Sequence, residues 1–307
     1  MAAPPKAISE ADAHGVDNGG SDPRRHDRRP MTEPATSPSV RALETLLETA
    51  TDALSPLMRL YRPYVRGLQN LPADGRFLLV GNHTQNSSEV LLIPYYVRSA
   101  LGTRVRPLAD RQFGRMRGLQ ADLVTAYGAV VGTPDAAHRL MDDDETILVF
   151  PGGAREIAKY KGEEYTLSWQ NRDGFARIAI EHGYPIVTAA LVGGDDVYTS
   201  MVSRDSRLGR ASRWLSHRLS GRSDMGMPLV RGIGPTLVPR PQRMYLSFGP
   251  PIATTPTEGE ADDTWAAAVK GRVQRQLEAE LEDLQQIRST DPFRQLNPLS
   301  WPAALTP

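Results

Sequence analysis

The stretch Phe77-Leu78-Leu79-Val80-Gly81-Asn82-His83-Thr84-Gln85-Asn86-Ser87-Ser88-Glu89 changes character in its middle. Residues 77–80 are consecutive apolar side chains, the length and pattern of a strand buried on both faces. Glycine, amides, hydroxyls and one histidine follow, which make a loop, and residues 90–101 then read as a helix with Pro94 as an irregularity. The same succession returns downstream. Residues 147–150 run into Pro151-Gly152-Gly153, and residues 186–192, entered through Pro185, run into Gly193-Gly194. Helical patterns occupy 119–126, 134–141 and 173–181. Thr133 and Pro134 supply an N-cap and a first-turn proline to the second of these, and His182-Gly183 stops the third. Short strands at 129–131 and 244–248 complete the set. This alternation predicts an α/β fold with a mostly parallel central sheet flanked by helices.

Outward from that body the composition shifts. Residues 1–38 hold six prolines and the tract Arg24-Arg25-His26-Asp27-Arg28-Arg29 but almost no large apolar side chains, so they read as a disordered tail. From 39 to 60, Val40, Leu43, Leu46, Leu47, Leu54, Leu57 and Leu60 recur at helical intervals, with Pro56 dividing the run. Tyr61, Arg62, Tyr64 and Arg66 extend it with aromatic and cationic groups, giving an expected N-terminal amphipathic helix over 39–66 that contacts a membrane interface or packs on the domain. Residues 200–235 form a basic insertion. Six arginines between 204 and 222 face the single acidic Asp205 and are interleaved with Leu208, Trp214, Leu215 and Leu219. A short helix at 213–218 in a peripheral membrane contact, or a solvated loop and helix, both fit. Residues 264–288 predict a charged surface helix; the domain is expected to span 39–290, with a C-terminal tail at 291–307.

The chain of 307 residues carries 36 Lys and Arg against 36 Asp and Glu, so no whole-molecule attraction to nucleic acid follows and any basic surface is local. With no cysteine, disulfides, thiolate metal sites and cysteine nucleophiles are excluded. Apolar runs are strand-sized rather than bilayer-sized, and residues 1–29 lack the apolar segment of a signal peptide, which makes a cytoplasmic location the expectation.

Ligands of α/β sheets sit at the carboxyl ends of the strands, which singles out three turns. In the first, His83 lies just past a strand and Glu89 six positions on, near a helix start, so one turn of chain returns the carboxylate to the imidazole. That pair suits a general base and its charge partner, while the residues alone fit a capping loop as well. In the second, Gly152 and Gly153 permit close backbone approach and Arg155 supplies a cation for an anionic group, unless the turn merely joins strand to helix. In the third, Asp195 and Asp196 would hold a metal only if further carboxylates converged, and none is expected. No G-x-S-x-G elbow, Walker loop or H-E-x-x-H is present.

Taken in order, Gly81-Asn82-His83, Phe150-Pro151-Gly152-Gly153-Ala154-Arg155-Glu156, the helix Gly174-Phe175-Ala176-Arg177-Ile178-Ala179 and Pro185-Ile186-Val187 resemble the lysophospholipid and glycerolipid acyltransferase superfamily. The 150–156 turn is most similar to the branch of monoacylglycerol and diacylglycerol acyltransferases and phytyl ester synthases. The resemblance implies O-acyl transfer from acyl-CoA, as co-substrate and with no bound cofactor, to a lipid hydroxyl at the inner face of the cell membrane. It assigns His83 as general base, Glu89 as its partner, and Asn82, Gly152, Gly153, Arg155 and Glu156 to substrate binding. Two positions depart from the commonest pattern. The usual His-x-x-x-x-Asp spacing lands on Ser88, whereas a spacing longer by one lands on Glu89; and Gly152 stands where acylglycerol-phosphate enzymes carry Glu, which points toward a neutral alcohol acceptor. A lipid- or CoA-binding relative without chemistry and a thioesterase using water are the alternatives.

Overall fold

A computed structural model describes residues 62–110, 117–118, 122, 125–220, 228–256 and 262–296. The expected tail at 1–38 and the expected helix over 39–61 lie outside these, as does most of the 119–126 helix, of which Asp122, Thr125 and Ala126 are helical. In chain order the elements are β1 (Tyr64–Arg66), β2 (Leu78–Gly81), α1 (Glu89–Leu101), β3 (Val105–Ala109), β4 (Val130–Val131), α2 (Pro134–Asp142), β5 (Thr146–Val149), α3 (Ala154–Ile157), α4 (Gly174–Glu181), β6 (Ile186–Val192), β7 (Thr199–Ser200), α5 (Arg207–Ser220), β8 (Val230–Arg231), β9 (Tyr245–Phe248) and α6 (Asp262–Thr290).

Seven strands make the central sheet, in the order β1-β9-β6-β2-β5-β3-β4. All neighbours are parallel except β6 and β9, so the α/β, mostly parallel architecture expected from the sequence is the one observed. β2 lies between β5 and β6, with Leu79 level with Leu148 and Val187. Its uninterrupted apolar sequence follows from this position, because both faces are covered. Leu78 and Val80 point into one core with Ile147, Ile186 and α6 residues Val269, Val273, Leu277 and Leu281. Phe77 and Leu79 point into the other with Leu148, Val187 and α1 residues Leu92, Ile93 and Val97. Each such side chain contributes roughly 1.5–3 kcal/mol by leaving water.

Pro94 sits inside α1 and cannot donate to the carbonyl of Val90 four residues earlier. The hydroxyl of Tyr127 donates to that carbonyl instead, so the helix runs on to Leu101. Thr133 caps α2 as expected, accepting from the Ala136 N–H at 3.2 Å.

Three expectations are corrected. Tyr64–Arg66 is not the end of a helix but a strand that pairs with β9. The short helix expected at 213–218 is part of the longer α5. Residues 291–296, expected as tail, belong to the body: Asp291 accepts from Arg243 and Tyr245, and Gln295 bridges to Gln242.

Candidate active site

Because β2, β5 and β6 are parallel, their carboxyl ends share one edge of the sheet, and the loops after them meet there. The first loop is braced at once. Asn82 accepts the Leu191 N–H at 2.8 Å and donates to the Leu191 carbonyl at 3.0 Å. Its side chain is therefore a tie between β2 and β6, fully buried, rather than the substrate contact expected of it.

His83 follows. Its ring stacks on Phe150, centroids 4.6 Å apart and planes 16° from parallel. Nδ1 meets Oε1 of Glu89, and the Thr84 hydroxyl donates to Oε2 of the same carboxylate. Glu89 is completely buried and is the first residue of α1, where the positive end of the helix dipole favours an anion. A left-handed residue, Ser87 at φ 54°, turns the chain just before the helix and brings Glu89 under the imidazole. Ser88, by contrast, contacts the Met244 sulfur at 3.7 Å. The longer of the two spacings is thus the one the loop realises.

In the second loop Gly153 takes a left-handed φ of 55°. The Arg172 guanidinium donates to the carbonyls of Pro151 at 2.8 Å and Gly152 at 3.1 Å, fixing a turn for which sequence inspection offered no partner. The single-turn α3 carries Arg155 and Glu156. Glu156 is fully buried, with Oε2 accepting the His83 N–H at 2.9 Å and Oε1 the Ser168 N–H at 2.8 Å. Burial pushes its carboxyl above the usual range, while those two N–H groups pull it back. Like Asn82, it was expected to meet substrate and is instead bonded to backbone. Arg155 is half-buried, and among the described residues nothing pairs with it by hydrogen bond or ion pair.

The third loop supports the first from beneath. Asp195 accepts Lys159 Nζ at 2.6 Å, the Gln85 N–H at 2.9 Å and the Tyr165 N–H at 2.8 Å. The Gln85 side chain in turn donates to the Lys159 carbonyl at 2.8 Å and Ser200 Oγ at 2.9 Å. Lys159 and Asp195 are both buried, a placement tolerated because each charge is paired and hydrogen-bonded. Asp195 thereby acts as an anchor for the histidine loop. The strand-end turn Gly194-Asp195 marked it in the sequence, but nothing marked Lys159 or Thr84.

Residues 62–192 match the acyltransferase family model. Phytyl ester synthase 2, chloroplastic, of Arabidopsis thaliana is 31% identical over 254 residues, 76% of this chain and 36% of that protein. An uncharacterized protein of Mycobacterium tuberculosis is 30% identical over 226 residues, 68% of this chain and 58% of that one. The 1-acyl-sn-glycerophosphate acyltransferase PlsC of Thermotoga maritima aligns with a TM-score of 0.45 and 17% identity over 80% of this chain and 79% of that one. The chain spans about a third of the length of the plant relatives it matches. The matched segment encloses the loops after β2 and β5 and closes with β6, so residues 62–192 carry an acyltransferase-family domain.

Proposed function

We propose that the protein transfers a fatty acyl group from acyl-CoA to the hydroxyl of a neutral lipid alcohol, with His83 as general base. The observation that carries this reading is the contact between His83 Nδ1 and the buried Glu89. A carboxylate on Nδ1 keeps the proton there and leaves Nε2 as the basic nitrogen. Nε2 removes the proton of the acceptor hydroxyl as its oxygen attacks the thioester carbonyl. The tetrahedral species collapses to the ester, and the imidazolium returns its proton to the departing CoA sulfur. Glu89 stabilises the imidazolium while it exists, and no acyl-enzyme forms. Arg155, unpaired among the described residues, serves a phosphate of the donor or the head of the acceptor, next to Gly152 and Gly153. The absence of a carboxylate side chain at Gly152, and the similarity to a phytyl ester synthase, support a long-chain alcohol or acylglycerol acceptor. Exposed apolar and cationic residues of α5 support a peripheral seat on an anionic membrane, and no helix among the described residues is long and apolar enough to cross one.

The test offers oleoyl-CoA with phytol, mono-oleoylglycerol, dioleoylglycerol or lysophosphatidate. Ester is expected from the neutral alcohols and a loss of about a hundredfold or more in His83→Ala. Unchanged turnover in that variant eliminates His83 as base, and release of CoA without any acceptor would replace transfer by hydrolysis.

A further inference from the structure

We infer that Glu156 is a positioning residue for His83, and that position 152 lacks a side chain because the Glu156 carboxylate fills the space one would occupy. The inference rests on the proposed role of His83 and adds the device that holds it. A Cβ on Gly152 would lie 2.1 Å from both Cδ and Oε1 of Glu156 and 2.4 Å from its Cγ. Backbone conformation does not demand glycine there: Gly153 is left-handed at φ 55°, whereas Gly152 is not among the positive-φ residues. Space alone keeps position 152 bare.

The occupant of that space joins two segments that are far apart in sequence. One oxygen accepts from the backbone of His83, the other from the backbone of Ser168, and the side chain has no exposure through which to meet a substrate. Two N–H donors facing one group require an acceptor at both ends, which a carboxylate supplies and a carboxamide does not, having one oxygen and one NH2. Glu156→Gln therefore sets a donor against either His83 or Ser168 without changing the side chain's size. Gly152→Ala reaches the same result from the other side by displacing the carboxylate. A shift of the base by about 1 Å is enough to cost on the order of a hundredfold in rate.

Four variants test this: Glu156→Gln, Gly152→Ala, Glu156→Ala and Gly152→Asp/Glu156→Ala. An aspartate at 152 starts from a Cβ that would lie 2.1 Å from the lost Cδ, close enough for one of its rotamers to return a carboxylate to the vacated volume. Turnover is measured with oleoyl-CoA and phytol, and hydrogen exchange at the His83 amide is read by NMR beside those of Leu79 and Val80. Expected are a 10- to 100-fold fall in kcat for the first two variants with KM within twofold, faster exchange at His83 but not at Leu79 and Val80, and about tenfold recovery of kcat in the double variant over Glu156→Ala. Wild-type kcat in variants whose His83 amide has lost protection overturns the inference, as does a change confined to KM, which would make Glu156 a substrate contact. Should the wild type transfer no acyl group, the proposed activity fails separately, and unchanged His83 protection in Glu156→Gln would then refute the bond itself.

Discussion

At the scale of single residues the proposed chemistry turns on which side chain balances the imidazole. A completely buried carboxylate is tolerable only when its oxygens are bonded, and both oxygens of Glu89 are, to His83 and Thr84. Glu89→Gln keeps the shape and an acceptor for Nδ1 but removes the charge that an imidazolium needs. Its kcat should fall by about 10²–10⁴, by analogy with the loss of the carboxylate in hydrolase triads. Ser88→Ala removes a hydroxyl that, among the described residues, touches the Met244 sulfur, and leaves in place the Ser88 N–H that donates to Asn86 Oδ1, so kcat should stay within about threefold of wild type. Measuring the two side by side decides the register, since the reverse outcome would move the charge partner to position 88. Both candidates were legible in the sequence, because the spacing confined the partner to one turn of chain. Which of them faces the ring was not legible: it depends on a left-handed Ser87 and on Thr84 and Glu156, and a loop sequence alone does not fix backbone dihedrals.

At the scale of elements, strands buried on both faces announce themselves and strands near the sheet's margins do not. β2, β5 and β6 are predominantly apolar runs, broken only by Thr146, Thr188 and the closing Gly81, and were readable as strands. β1 is three residues with an arginine and a tyrosine, and β3 contains Pro107 and Arg106, a composition that argues against a strand until its neighbours are known. The same limit applies to the pairing of α6 with β6. Glu280 of α6 accepts from the Thr188 hydroxyl at 2.7 Å, while its second oxygen is buried with no hydrogen-bond partner among the described residues. Burial raises its carboxyl to about 7, against the opposing pull of Thr188, Arg66 and Gln276. Between the ordinary value of 4.5 and about 7 the folded chain holds a proton that the unfolded chain has released. This group's stabilising contribution is therefore complete below pH 4.5 and is lost as pH rises through 7, by up to about 3 kcal/mol. Denaturation midpoints at pH 5 and pH 8 should diverge for the wild type and converge in Glu280→Gln, which stays neutral throughout. An equal divergence in both proteins would assign the pH dependence to other groups.

For the whole molecule, zero net charge hides a strongly asymmetric surface. α5 is built inside out. Its buried side is Gly209 and Ser216, with Ser212 against the Tyr160 hydroxyl, so the helix packs on the body through small residues. Leu208 and Trp214 are 66% and 65% exposed, Leu215 also faces out, and Arg207, Arg210 and Arg218 flank them, the last over the Trp214 ring. No acidic residue occurs anywhere in the helix. Further exposed apolar side chains flank β8, Leu229 before it and Ile233, Leu237 and Val238 after it. An apolar stripe fringed only by cations is the pattern that the proposed seat on an anionic bilayer requires, whereas docking to a protein would need carboxylates at fixed places. Each arginine near such a surface contributes about 1 kcal/mol, or roughly fivefold in partitioning. Removing Arg207, Arg210 and Arg218 together should thus weaken binding to phosphatidylglycerol vesicles about a hundredfold, and raising salt should weaken the wild type in the same direction. Trp214→Ala/Leu215→Ala should weaken binding to neutral and anionic vesicles alike. Since these side chains are exposed, the fold should tolerate the changes within about 0.5 kcal/mol, so a lost interaction cannot be put down to unfolding. Trp214 also provides a direct reporter: Trp169 and Trp265 are buried, so in a Trp301→Phe background a blue shift of emission on adding vesicles should vanish on Trp214→Phe. Vesicle binding that ignores lipid charge, salt and both sets of substitutions would remove α5 from the membrane and leave its exposed face to another partner.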